Sequence, residues 1–137
     1  MRDFRTLEIW KQSRQLAVEV YSLTRSFPKE EIFGLTSQLQ RAVVSVGANI
    51  AEGCGRNSNA DFQRFLTIAL GSLNEAEYLL ILLNDLHYCD DEKYRKLMRD
   101  IDKLKPMMMA FISKLREFVA EQKLAKGKGK KPNAHSL

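Results

Sequence analysis

A chain of 137 residues has room for one domain with one core, and its 45% hydrophobic and 28% charged content is ordinary for a globular protein. No apolar run reaches the roughly 18 residues of a membrane span, and the start, MRDFRTLEIWKQ, lacks the apolar core and small-residue cleavage site of a secretory signal. The formal charge of +5 rests on the tail: residues 123–137 hold Lys123, Lys126, Lys128, Lys130 and Lys131 and no acid, and without them Lys plus Arg equals the 17 Asp and Glu.

Four helical segments are expected, and no strand. The first runs from about Thr6 to Phe27. Ile9, Leu16, Val20, Leu23 and Phe27 recur at helical spacing, and Trp10, Ala17 and Tyr21 widen the stripe. Pro28 ends it, because proline disfavours a helical residue before it.

The second runs from about Gly34 to Glu52, with Leu35, Leu39, Ala42, Val43, Val46 and Ile50 as its apolar face. Gly53 and Gly55 are read as its stop. A second, polar row lies on the same helix: Gln38, Arg41, Ser45, Asn49 and Glu52. The small residues Ala42, Gly47, Ala48 and Ala51 beside it would let another backbone approach.

The third runs from about Asn59 to His87, with Asn59 as cap and Asp61 facing the positive helix end. Its apolar residues surround it. Phe62, Phe65, Leu66, Ala69, Leu70, Leu73 and Ala76 make one stripe, and Ile68, Leu79, Ile81, Leu82, Leu83 and Leu86 spread round the rest. One bundle covers about half of such a helix, so the remainder is expected at a subunit interface. Gly71, Ser72 and Glu75 form a small-and-polar patch within it. Together with the polar row on the second helix they read either as a hydrogen-bonded seam or, for Arg41 with Arg56, as a face for nucleic-acid phosphate.

The fourth begins after Asp90, Asp91 and Glu92. Tyr94, Leu97, Ile101, Leu104, Met108, Phe111, Leu115 and Phe118 make an a/d heptad row roughly 36 Å long. Pro106 falls at an outward position, where a kink is expected. Short connections make neighbouring helices antiparallel. The expected architecture is all-α: an up-down-up-down four-helix bundle over residues 1–122, with a disordered lysine-rich tail over 123–137.

Chemistry is sparse. His135 lies in the tail, and His87 suits a helix C-terminus as a cation. No Gly-x-Ser-x-Gly, Walker loop, His-Glu-x-x-His or Gly-x-Gly-x-x-Gly occurs. Glu75 and Glu77 lack the histidine three residues on that a di-metal bundle needs. Cys54 and Cys89 fit no metal spacing and read as free thiols of a cytoplasmic protein. No catalytic residue, metal or cofactor is therefore expected.

The phrases Leu7-Glu8-Ile9-Trp10-Lys11, FGLTSQLQRA (33–42), NIAEG (49–53) and FLTIALGSLNEAEY (65–78), in that order, resemble the bacterial four helix bundle protein family. Its founding members are encoded in intervening sequences within 23S ribosomal RNA genes. The resemblance spans about Phe4 to Phe118 and implies a homopentameric bundle with no catalytic activity. It carries Gln38, Arg41, Ser45, Asn49, Glu52, Gly53, Arg56, Gly71, Ser72 and Glu75 as motif positions. A related branch, the accessory variability determinant of diversity-generating retroelements, binds nucleic acid and a reverse transcriptase. Two positions depart from the pattern: Gln40 stands where a second arginine is frequent, and Gly47 where proline is frequent.

The function implied is low-specificity RNA or DNA binding by a non-enzymatic homo-oligomer. The phosphate contacts would be Arg41, Arg56, Arg64, Lys123, Lys126, Lys128, Lys130 and Lys131. The alternative is a protein-interaction scaffold, such as an accessory subunit for a reverse transcriptase. No membrane partner is expected.

Overall fold

The computed structural model describes residues 2–127. A short 3-10 turn, Phe4–Thr6, leads into α1 (Glu8–Thr24); a second, Lys29–Glu31, leads into α2 (Leu35–Cys54); then come α3 (Asn59–Asp85) and α4 (Asp91–Gly127). Each helix packs on its chain neighbours, and α4 returns to close against α1, giving the expected all-α four-helix bundle. Phe27 and Tyr88 rings 6.1 Å apart hold the α1–α2 and α3–α4 connections together at one end. At the other end the backbone N–H of Arg2 donates to the carbonyl of Cys54, tying the N-terminal segment to the end of α2.

The core follows the apolar rows. Ile9, Leu16, Val20 and Leu23 of α1 meet Leu39, Val43, Val46 and Ile50 of α2, all buried. From α4 come Leu97, Ile101, Leu104, Met108, Ile112 and Leu115, while Tyr94 and Phe111 of the heptad row are only partly covered. A fully buried Leu or Ile side chain contributes about 1.5–3 kcal/mol, so these rows dominate the stability. Ser13 is buried among them without cost because its hydroxyl donates to the Ile9 carbonyl at 2.6 Å.

Several local expectations are corrected. The α1 start moves from Thr6 to Glu8, since the Thr6 hydroxyl donates to the Asp3 carbonyl and helps close the 3-10 turn. Ser58, not Asn59, caps α3: its hydroxyl accepts from the Asp61 N–H at 3.1 Å. Gly53 is no stop signal but a buried residue inside α2, where α3 comes close: a Cβ there would lie 2.9 Å from Phe62 and 3.0 Å from Phe65. Gly55 ends the helix with φ −86°, so its freedom to turn left-handed is unused.

The α3 end does use a left-handed residue, and it is His87, with φ 64°. The His87 N–H donates to the Asn84 carbonyl and the Tyr88 N–H to the Leu83 carbonyl, the paired bonds of a Schellman cap.

The bundle covers one side of α3. Phe62, Phe65, Leu66, Ala69, Leu73, Ala76, Leu79, Leu80 and Leu83 are all buried, leaving Ile68, Tyr78 and Ile81 as its exposed large apolar side chains. Among the described residues, α3 alone is by length and composition long and apolar enough to cross a membrane, although no uninterrupted apolar run of that length occurs. Its packing against α2 and α4 accounts for that composition.

α4 stays helical through the exposed Pro106 and past the expected boundary at 122, to Gly127. Lys123, Leu124, Ala125 and Lys126 are good helix formers, so nothing local stops it sooner. Its last buried residue is Leu115, and the helix extends roughly 18 Å beyond it. Lys128, Lys130, Lys131 and His135, with the disorder expected of them, lie outside the described residues.

Candidate functional site

The polar row of α2 divides in two. Ser45 and Asn49 turn toward α3, where the Ser45 and Ser72 hydroxyls share a hydrogen bond at 2.9 Å. The Asn49 amide donates to both the carbonyl and the hydroxyl of Ser45, at 2.8 and 2.9 Å. This part is a hydrogen-bonded seam between two helices of one chain. It forms where the short side chains of Ser45 and Ser72 face each other between α2 and α3, whereas Gly71 looks onto open space, with nothing within 4 Å of where a Cβ would stand.

Gln38, Arg41 and Glu52 stand outside the seam, exposed. Glu52 pairs with Arg56 at 2.7 Å. Arg41 makes no hydrogen bond or ion pair among the described residues, and neither does the exposed Glu75 of α3. Arg41 lines a shallow groove on the outer face of α1 and α2 with Tyr21, Ser37, Gln40, Val44 and Ser45. Of the small residues beside the row, Gly47 faces α1 instead, with the Trp10 indole nitrogen 3.8 Å from where a Cβ would stand.

Arg56 and Arg64 meet at the α2–α3 end, around the Phe65 ring, with guanidinium carbons 4.5 and 4.6 Å from its centroid. Asp61 lies 3.6 Å from Arg64. Arg41 is not part of this group, lying roughly 20 Å away along α2.

Two arginines missed in the sequence reading join Arg56 there. Arg2 lies over the Phe62 ring at 5.6 Å. Arg5 lines, with Arg2, Asp3, Phe4, Ala51 and Gly55, a second open groove. Burial lowers the Arg2 guanidinium pKa from its ordinary value, against a smaller opposing effect from Cys54. The Arg5 guanidinium, bonded to Asp3 at 2.9 Å, holds that carboxyl below its usual range. The available signal was the run Arg2-Asp3-Phe4-Arg5, in which the ring of Phe4 packs edge-on to Trp10 at 5.0 Å and anchors both arginines.

The overhanging end of α4 brings Lys123 and Lys126 to the same side of the molecule, since α4 runs antiparallel to α3. The opposite end is mixed, with Glu30, Glu31, Asp85, Asp90, Asp91 and Glu92 beside Arg25, Lys29, Lys93 and Arg95 around the two other connections. No cluster of His, Cys, Asp or Glu able to hold a metal occurs among the described residues. Cys54 and Cys89 are both free thiols.

A search of curated proteins finds no match. Among solved structures, a protein described as of unknown function from the S23 ribosomal protein family of Bacteroides thetaiotaomicron VPI-5482 is similar, with 31% identity and a TM-score of 0.70. The similarity covers 76% of this chain and 97% of that one. The sequence profile of the family described as 23S rRNA-intervening sequence protein matches residues 5–110, nearly the whole bundle. This four-helix chain belongs to the 23S rRNA-intervening sequence protein family.

Proposed function

We propose that the chain is a non-enzymatic, cytoplasmic, homo-oligomeric bundle, pentameric as the family resemblance implies, that binds RNA or DNA with little sequence preference. The observation that carries this reading is the gathering of Arg2, Arg5, Arg56 and Arg64 at the end where α4 extends with Lys123 and Lys126. Guanidinium and ammonium groups gathered at one end hold a phosphate backbone without reading its bases. Three of those arginines are held by Asp3, Glu52 and Asp61, so phosphate must compete with carboxylate and binding is weak. Support for self-association comes from the exposed apolar side chains Ile68, Tyr78 and Ile81 of α3 and Val44 of α2.

The test is the salt dependence of affinity for a short single-stranded RNA, for the full chain and for a chain stopped at Gln122. If the five tail lysines each meet one phosphate, log K against log salt slopes at about −3.5 per chain. Arg56→Ala lowers the slope by about a further 0.7 if that arginine meets phosphate. Affinity independent of salt overturns the reading.

The exposed apolar side chains of α3 favour a second reading, a scaffold for a protein partner such as a reverse transcriptase. A stoichiometric partner retained after nuclease treatment would support it.

A further inference from the structure

Phe33 is 97% exposed, which is rare for a phenylalanine in a well-formed connection. The connection is not loose. Its backbone bonds run Glu31 N–H to Pro28, Ile32 N–H to Lys29 and Gly34 N–H to Glu31, at 3.0, 3.2 and 3.0 Å. They hold the ring out from the surface at the head of α2, with Ile32 half-exposed beside it and Glu30 and Glu31 just before.

The groove on the outer face of α1 and α2 has the complementary features. Its walls are Tyr21 and Val44, 43% and 48% exposed, and its rim carries Arg41, whose side chain has no partner among the described residues. An aromatic ring preceded by two carboxylates matches an apolar groove rimmed by a free guanidinium. Tethered at the head of α2, Phe33 stands outside its own groove.

We propose that Phe33 of one copy seats in the Tyr21–Val44 groove of the next copy, with Glu30 or Glu31 meeting Arg41 there. Hook and groove are different surfaces of the same chain, so a head-to-tail contact leaves a hook and a groove free at its two ends, and a closing rotation makes it a ring. One ring buries about 150–250 Å², which anchors an interface without making all of it. The proposal rests on the homo-oligomer reading above and names the surfaces that make it.

The experiment is solution mass by light scattering on the full chain, on Phe33→Asp, on Val44→Glu, and on an equimolar mixture of the two variants. Both positions are exposed, so circular dichroism should show each variant as helical as the parent. The expected result is a parent larger than two chains, each variant alone at the mass of one chain, and a mixture that stops at two. In the mixture one intact hook meets one intact groove, and the remaining pair is disabled. A parent that assembles while Phe33→Asp keeps its mass overturns the hook and leaves the oligomer standing. A mixture that regains the full mass, or stays at one chain, also overturns it. A parent at the mass of one chain overturns both readings.

Discussion

The hydroxyls of Ser45 and Ser72 stand 2.9 Å apart across the contact between α2 and α3, with the Asn49 amide closing on Ser45 from the following turn. Three short polar side chains thus satisfy one another in a valley otherwise lined by apolar groups. Ser72→Ala leaves Ser45 with Asn49 as its remaining side-chain partner. The expected loss is about 1 kcal/mol, read as a shift of the urea midpoint with unchanged slope.

Two glycines of α2 should respond to alanine in opposite ways. At Gly53 the new methyl would meet Phe62 at 2.9 Å and the Phe65 Cβ at 3.0 Å, so α2 and α3 must part. Gly53→Ala is expected to destabilise by about 1–3 kcal/mol. At Gly47 the nearest atom is 3.8 Å away, an ordinary contact. Gly47→Ala is expected to stabilise by about 0.5–1 kcal/mol, because alanine loses less backbone entropy in a helix. Thermal unfolding of the pair decides both signs.

His87 adopts φ 64°, where an L side chain crowds the following carbonyl. Glycine takes the same cap at no such cost. His87→Gly should therefore raise stability by about 1 kcal/mol, or roughly 4 °C in Tm. A loss of stability would mean that the imidazole makes a contribution larger than the backbone strain.

Burial pushes the Cys89 thiol up to about 11. In the folded chain it stays neutral at pH values where an unfolded thiol ionises, so unfolding releases a proton there. The stability linked to Cys89 is complete below the unfolded pKa and declines as pH rises toward 11. In a Cys54→Ala background, the 240 nm absorbance difference from the Cys54→Ala, Cys89→Ala double variant, which cancels tyrosinate, should rise near pH 11 in native protein and near pH 9 in urea.

Arg41→Ala should leave the unfolding free energy of the isolated chain within about 0.5 kcal/mol, since the side chain is exposed and has no partner among the described residues. A loss of several kcal/mol with concentration-dependent unfolding would place its partner in another copy.

The helices were legible because their apolar rows are long: of the α4 heptad row Leu97, Ile101, Leu104, Met108 and Leu115 are buried, while the aromatic members Tyr94, Phe111 and Phe118 are half-covered. Caps were harder. Ser58 and Asn59 are both good caps, and only the backbone position, with Ser58 extended at φ −129°, chooses between them. Gly53 and Gly55 look alike in sequence, yet one is needed by a packing distance that sequence does not encode. The polar row told which residues share a side of α2 but not that Ser45 and Asn49 turn inward while Arg41 and Glu52 turn out. A few tens of degrees of helix rotation separate those fates, and packing sets that rotation. Arg2 and Arg5 gave no periodic signal because they precede the first α-helix.

Beyond Leu115 no residue of α4 is fully buried, although Phe118 and Val119 stay half-covered, and toward Gly127 the helix increasingly obeys the statistics of an isolated peptide. Its outer turns are too short to hold themselves wound in water without help from the part already nucleated inside the bundle. Amide exchange along α4 should therefore fall into two regimes, slow through Leu115 and rising steeply toward Gly127. The lysines at 123 and 126 favour the negative end of the helix dipole, so the winding of these turns is tied to their charge. Acetylating those two ammonium groups would shorten the helix, and the ellipticity at 222 nm would record the change turn by turn.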